Sequence, residues 1–364
     1  MSRSLRVSPE HILTVKSALK RNGFPTQQSL ADEVAVSLST TKSFLNGNPV
    51  DYLNFVELSQ RLGFDWQDIA SLPDAEIQQP ASNLPKNHAS PFITGMPINQ
   101  PRYFFGRERE LKRIFNLLNR HPLQNAAIIG KRRSGKTSLL NYLKNITTTP
   151  LEQLRLNQKS DWLTYPQDYC WIFVDFQDPR RQSREALLRY ILECLRLTVP
   201  NPCDLDNFMD VVSRDLQKPT VILLDEVGVG LQRCPELDDN FWESLRALAP
   251  QTGGNLAFIL ATPDSPLELA QNSGHSSPFF NIFGYTTILG ALTDVEAREL
   301  IASSPIPFAD ENVEWILNQS GRWPLLLQIL CRERLFSLEA GETGDDWQQE
   351  ALQQIQTFCY LLNH

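Results

Sequence analysis

The chain has 364 residues, 41% of them hydrophobic and 21% charged, enough for two or three globular domains and unlike a disordered or fibrous composition. A net charge of −8 argues against indiscriminate nucleic-acid binding, and the longest apolar runs, 221–224 and 256–261, are too short to span a membrane. Six scattered cysteines without a CxxC pair suggest neither a zinc site nor a disulfide framework, and with no apolar stretch behind the polar N-terminus the expected location is the cytoplasm.

Within an N-terminal domain expected over 1–72, residues 8–72 carry helical spacing throughout. Leu13, Val15 and Leu19, then Leu30, Val34 and Val36, fall at helix-compatible intervals, with breaks at Gly23-Phe24-Pro25 and Gly47-Asn48-Pro49. An all-α domain is expected. The run from Thr26 to Asn46 resembles the helix-turn-helix of Cro and repressor proteins: a Gln opens the first helix, Ala31 packs in its middle and Ser39 starts the second. Residues 51–63 and 65–70 would then be the supporting helices. The resemblance implies that Ser37, Ser39, Thr40, Thr41, Lys42 and Asn46 face the major groove and nearby phosphates. Seven basic and seven acidic residues balance within 1–72, so a single head would bind DNA weakly and several held together would bind it well. DNA and an unknown protein partner both remain open as its target.

Residues 73–101 change character. Pro73, Pro80, Pro85, Pro91, Pro97 and Pro101 punctuate a stretch rich in Ser, Asn and Gln, which reads as a flexible linker.

From residue 102 to 290 strands and helices alternate, the pattern of an α/β core with a parallel sheet. Strands are expected at 126–129, 171–176, 221–225, 257–261 and 286–289, with helices at 108–120, 184–197, 207–217 and 240–248. The first strand runs into Gly130-Lys131-Arg132-Arg133-Ser134-Gly135-Lys136-Thr137, a GxxxxGKT phosphate-binding loop, and Ser138 continues into a helix. Glycines let backbone N–H groups close around phosphate oxygens, Lys136 reaches the β- and γ-phosphates, and the Thr137 hydroxyl ligates Mg²⁺. Eleven basic residues against two acidic lie between 101 and 150, more than a triphosphate requires, and the Lys131-Arg132-Arg133 tip is either a second anion contact or a solvated turn.

Val221-Ile222-Leu223-Leu224 ends in Asp225 and Glu226, a buried strand delivering two carboxylates to the edge of the sheet where ligands bind. Asp225 is the expected Mg²⁺ partner and Glu226 the expected base for the attacking water. With the strand at 171–176 between the two motifs and no guanine signature, ATP is the expected nucleotide. Thr262, ending the 257–261 strand, is a candidate to bond the γ-phosphate or water, with Asp264 second; an ordinary turn is the alternative.

Phe105-Gly106-Arg107-Glu108-Arg109-Glu110-Leu111 resembles the FGRExEL box that opens AAA-like and STAND-type ATPases, where it lies against the nucleotide base. Gly321-Arg322-Trp323-Pro324 resembles their GxP lid motif, with two residues between Gly and Pro where one is usual. This family resemblance implies a five-stranded sheet in the order 5-1-4-3-2 and a helical lid over 291–364, with helices at 293–303, 311–319, 324–335 and 347–362. It places Phe105, Gly106, Arg107 and Pro324 near the base. Ser277–Gly284 contains no arginine where relatives carry one that reaches a neighbour's site; Arg233 and Arg246 are possible substitutes. The function implied is a slow ATP-hydrolysing switch, with nucleotide-dependent self-assembly, coupled to DNA or a protein partner. The alternatives are a DNA-binding regulator with ATP as ligand and a DNA-loading or transposition-type ATPase.

Overall fold

The computed structural model describes residues 4–8, 11–22, 24, 26–34, 36–64, 66–71 and 90–362, which fall into two compact units. In the N-terminal unit, helices α1 (Ile12–Arg21), α2 (Gln27–Glu33), α3 (Leu38–Leu45), α4 (Tyr52–Arg61) and the short α5 (Trp66–Ile69) pack around Leu30, Phe44, Phe55 and Leu58. The unit is not all-α. Strand β1 (Ser4–Val7) pairs antiparallel with β2 (Val50–Asp51) and β3 (Ala70–Ser71), burying Leu5 and Val7. These strands are too short to carry a period-2 signal of their own; only pairing between distant segments makes them.

Ser37 caps α3, its Oγ accepting the Thr40 N–H at 3.1 Å. Thr41 is fully buried, so it is corrected from a groove-facing residue to a core one. The 3.6-residue period turns it inward with Phe44 and Leu45. Ser37, Ser39, Lys42 and Asn46 are exposed; Thr40 is half-buried, its hydroxyl 2.8 Å from Ser37 Oγ.

Of the linker expected over 73–101, residues 73–89 lie outside the described residues. Residues 90–101 depart from the expectation: they pack on the second unit, with Phe92 and Pro101 buried. Phe92, Ile93 and Ile98 form an apolar island among the prolines, enough to anchor a short extended segment.

The second unit is built on β4 (Ala126–Ile129), β5 (Cys170–Asp175), β6 (Thr220–Asp225), β7 (Leu256–Thr262) and β8 (Tyr285–Ile288), all parallel. Their order, β5-β6-β7-β4-β8, is 5-1-4-3-2 when the five core strands are counted in chain order and read from the other edge. β6 and β7 are buried on both faces: Ile222, Leu224, Phe258 and Leu260 join one core, while Val221, Leu223, Ala257 and Ile259 join the other. That two-sided burial explains why these strands read as continuous apolar runs.

Helices α6 (Glu108–Leu118), α7 (Lys136–Ile146), α8 (Arg184–Leu195), α9 (Leu205–Asp215), α10 (Val227–Arg233), α11 (Asp239–Gln251) and α12 (Pro266–Asn272) cover the faces. α10 and α12 are too short for periodicity to reveal. The arginine-free stretch forms a 3₁₀ turn, Pro278–Asn281, whose Phe279 and Phe280 pack on Trp242 at 5.1 and 5.3 Å between ring centroids. Those positions serve the core.

The lid comprises α13 (Asp294–Ala302), α14 (Asp310–Ser320), α15 (Pro324–Glu339) and α16 (Asp346–Ile355), and the chain continues in 3₁₀ form to Leu361 where a helix to 362 is expected. Thr293 and Glu296 form the capping box of α13. No helix of the described residues is long and apolar enough to cross a membrane.

Candidate nucleotide site

The phosphate loop leaves β4 between β7 and β8, and the Gly130 N–H donates to Thr262 O at 3.1 Å. A side chain at Gly130 would put its Cβ 2.6 Å from Ser134 Oγ and 3.0 Å from Leu289 O. Gly135 takes φ 96°, a left-handed conformation that costs glycine little, and turns the chain into α7. Lys136, Thr137 and Ser138 therefore form the first turn of an 11-residue helix, whose N-terminal N–H groups and dipole face the loop. Lys136 Nζ donates to Gly130 O at 2.8 Å and to Lys131 O at 3.2 Å.

Strand β6 delivers Asp225, and the chain turns sharply at Glu226. Glu226 adopts φ 54° as the N-cap of α10, a strained geometry for a residue with a side chain. Its side chain lines a cavity of about 280 Å³ together with Gly135, Lys136 and Thr137. Asp225 is buried and accepts a hydrogen bond from the Thr137 hydroxyl. Burial pushes its carboxyl up to about 6; Thr137 and Lys136 oppose the rise, and the Glu226 and Asp175 carboxylates add to it. Asp175 is the register partner of Asp225 at the end of β5. Burial also pulls Lys136 below the usual ammonium range, against the pull of Glu226, Asp225 and Asp264.

Thr262 is 1% exposed and its Oγ1 has no hydrogen-bond partner among the described residues. A buried hydroxyl left unpaired costs about 1–3 kcal/mol, so one beside a phosphate loop is a group waiting for a ligand. Thr262→Val keeps the shape and removes that hydroxyl. The expected result is a protein up to about 1 kcal/mol more stable in urea unfolding, with ATP turnover at least about tenfold lower.

A second, smaller cavity of about 40 Å³ adjoins Ser134, Gly135 and Ser138 and is walled by Phe105, Arg107 and Pro324. Thus Phe105, Arg107 and Pro324 come together with the loop. Arg107 is heavily engaged: its N–H donates to Glu296 Oε1 at 2.6 Å and its guanidinium to Gly290 O at 2.5 Å, joining core to lid. Gly106 faces the Glu296 side chain and lines neither cavity. Arg132 and Arg133 line the larger cavity; Lys131 does not, its Nζ lying 3.5 Å from Tyr360 O. Arg233 and Arg246 are exposed and line neither cavity.

Eight residues lining the larger cavity fall outside the sequence expectation: Ile93, Thr94, Met96, Pro97 and Ile98 of the supposed linker, Gln177, and Leu325 and Gln328 of α15. The apolar PFITGMPI island at 91–98 was the available signal. A much larger cavity, about 1410 Å³ along α6 and α13, is lined by none of the phosphate-loop or β6 residues. Chemistry, not volume, locates the site.

Thr137 and Asp225 supply hard oxygen donors side by side, and no cluster of three or more metal-ligating His, Cys, Asp or Glu occurs among the described residues. That donor set suits Mg²⁺, which takes one or two protein oxygens and otherwise phosphates and water. Protonating Asp225 removes one of them. Mg²⁺-dependent hydrolysis should therefore fall as pH drops through about 6, with a midpoint that moves lower as Mg²⁺ is raised, because ion and proton compete. A pH-rate profile at two Mg²⁺ concentrations checks this; a midpoint insensitive to Mg²⁺ would contradict it.

No family model matches the chain, and no curated protein matches it in sequence. Among solved structures it is similar to the ORC2 protein of Aeropyrum pernix in its ADPNP–ADP complexes, at 13% identity and a TM-score of 0.52 over 72% of this chain and 70% of that one. The ADP form of the same protein gives 13% identity and a TM-score of 0.50 over 72% and 71%. A Walker-type ATPase of Pyrococcus abyssi gives 16% identity and 0.49 over 74% and 77%. At such identities the likeness is one of fold: the second unit of this chain has a core of the P-loop NTPase fold.

Proposed function

We propose that the protein is an ATP-binding, slowly hydrolysing switch whose nucleotide state governs assembly and engagement of DNA or a protein partner by the N-terminal unit. The observation that carries the reading is the convergence of Lys136, Thr137, Asp225, Glu226 and the unpaired Thr262 hydroxyl at one edge of the sheet. The triphosphate would lie along the first turn of α7, with Lys136 moving from the loop carbonyls to the β- and γ-phosphates. Bound Mg²⁺, held by Thr137 and through Asp225, would neutralise charge on the phosphates. Glu226 takes a proton from the attacking water, the bond to the γ-phosphorus breaks, and ADP and phosphate leave. Thr262 Oγ1 donates to the γ-phosphate or orients the water. The base would fall against Phe105 and Pro324. Slow turnover is supported by the use of 277–284 for core packing in place of an arginine.

For the N-terminal unit, the exposed Ser37, Ser39, Lys42 and Asn46 on and beside α3 support contact with DNA, with Thr40 at the rim. Its balanced charge supports weak binding by one copy. The test is phosphate release and light-scattering mass with and without ATP and MgCl₂, repeated with duplex DNA at two salt concentrations. Phosphate release, with a nucleotide-dependent change in mass or DNA affinity, is expected. Absence of both phosphate release and any nucleotide-dependent change overturns the reading. ATP-independent DNA binding would favour a regulator with ATP as ligand.

A further inference from the structure

Residues 92–99 cross from the lid to the phosphate-loop helix. At one end Phe92 is buried among lid residues, the Ile93 N–H donates to Gln328 Oε1 at 2.9 Å, and Arg332 Nη1 donates to Thr94 Oγ1 at 2.5 Å. At the other end the Ile98 N–H donates to Ser138 Oγ at 3.0 Å, and Asn141 and Asn145 hold Asn99 at 2.6 and 2.8 Å. Between these anchors Met96 and Pro97 line the larger cavity opposite Lys136 and Thr137. A ligand that fills this cavity therefore lies against a strap fastened to both sides of it.

Gln328 is placed to register that ligand. It is 3% exposed and lines both cavities, so it sits where they meet, between the phosphate end and the base end. Its Oε1 is committed to Ile93, and its Nε2 has no hydrogen-bond partner among the described residues. An acceptor on the sugar or base edge would find a donor there. Holding one end of the carboxamide fixes the other, because linked hydrogen bonds strengthen one another. We infer that Gln328 is a nucleotide-sensing, positioning residue, and that residues 92–99 are the strap through which it reports occupancy. The inference rests on the reading that ATP occupies this site.

Hydrogen–deuterium exchange of the full chain, with and without a non-hydrolysable ATP analogue and Mg²⁺, tests it. Equilibrium affinity is measured in parallel. Exchange across 92–99 should slow at least about tenfold on binding in the native protein. In Gln328→Met, which keeps the side-chain length, the analogue should still bind, more weakly, and most of the added protection should vanish. Arg332→Ala, outside both cavity linings, should speed exchange at 92–95 in both states and leave affinity within about twofold. Tight binding with unchanged exchange across the strap overturns the inference while leaving the nucleotide reading intact. Equal protection in Gln328→Met overturns the sensing role. No binding by the native protein overturns both.

Discussion

Glu226→Gln is expected to lower ATP turnover by about 10²–10⁴-fold, the usual contribution of a positioned general base, while the protein still binds ATP. The substitution preserves the side-chain length at the φ 54° position, so α10 keeps its start. It removes only the proton acceptor. The nucleotide-bound assembly should then accumulate and become visible by light scattering in ATP, where the native protein cycles. Single-turnover phosphate release alongside filter binding separates the two effects. Turnover within about threefold of native would remove Glu226 from the base role and pass it to another group at the same edge.

Lys136→Ala should act on the other side of the cycle, lowering ATP affinity by about 100-fold, the equivalent of two charge-assisted hydrogen bonds at about 1.5 kcal/mol each. Loss of its bonds to Gly130 O and Lys131 O also deprives the loop of its internal brace. Titration calorimetry measures the affinity, and an unchanged dissociation constant would contradict the proposed phosphate contact. The pair of variants is diagnostic as a pair. Glu226→Gln binds and does not turn over; Lys136→Ala does neither at ordinary ATP concentrations.

Different parts of this site were legible to different degrees. The phosphate loop is one contiguous run whose spacing is dictated by the geometry of a turn and a helix start, so its residues could be named in advance. Asp225 and Glu226 follow an apolar run long enough to be a buried strand. In the sequence Thr262 and Asp264 both stand at the end of a strand, and Thr262's burial without a partner is what distinguishes it. Gln328 and the strap carried no local mark as site residues. Gln328 lies in a leucine-rich helix, and the strap lies among prolines; their roles come from contacts spanning 235 positions between Ile93 and Gln328.

The sequence by itself determined the parallel five-stranded core, the loop of phosphate-binding pattern at its edge and the acids that end β6. Each of these depends on short-range regularity: apolar runs for strands buried on both faces, and glycine where the backbone leaves no room for a side chain. Only the tertiary structure decided that β1 pairs with β2 and β3, and that Ile93, Thr94, Met96, Pro97 and Ile98 wall a cavity beside the 130–137 loop. The partners at those places lie far away in the chain, and a neighbour's spacing does not specify which they are.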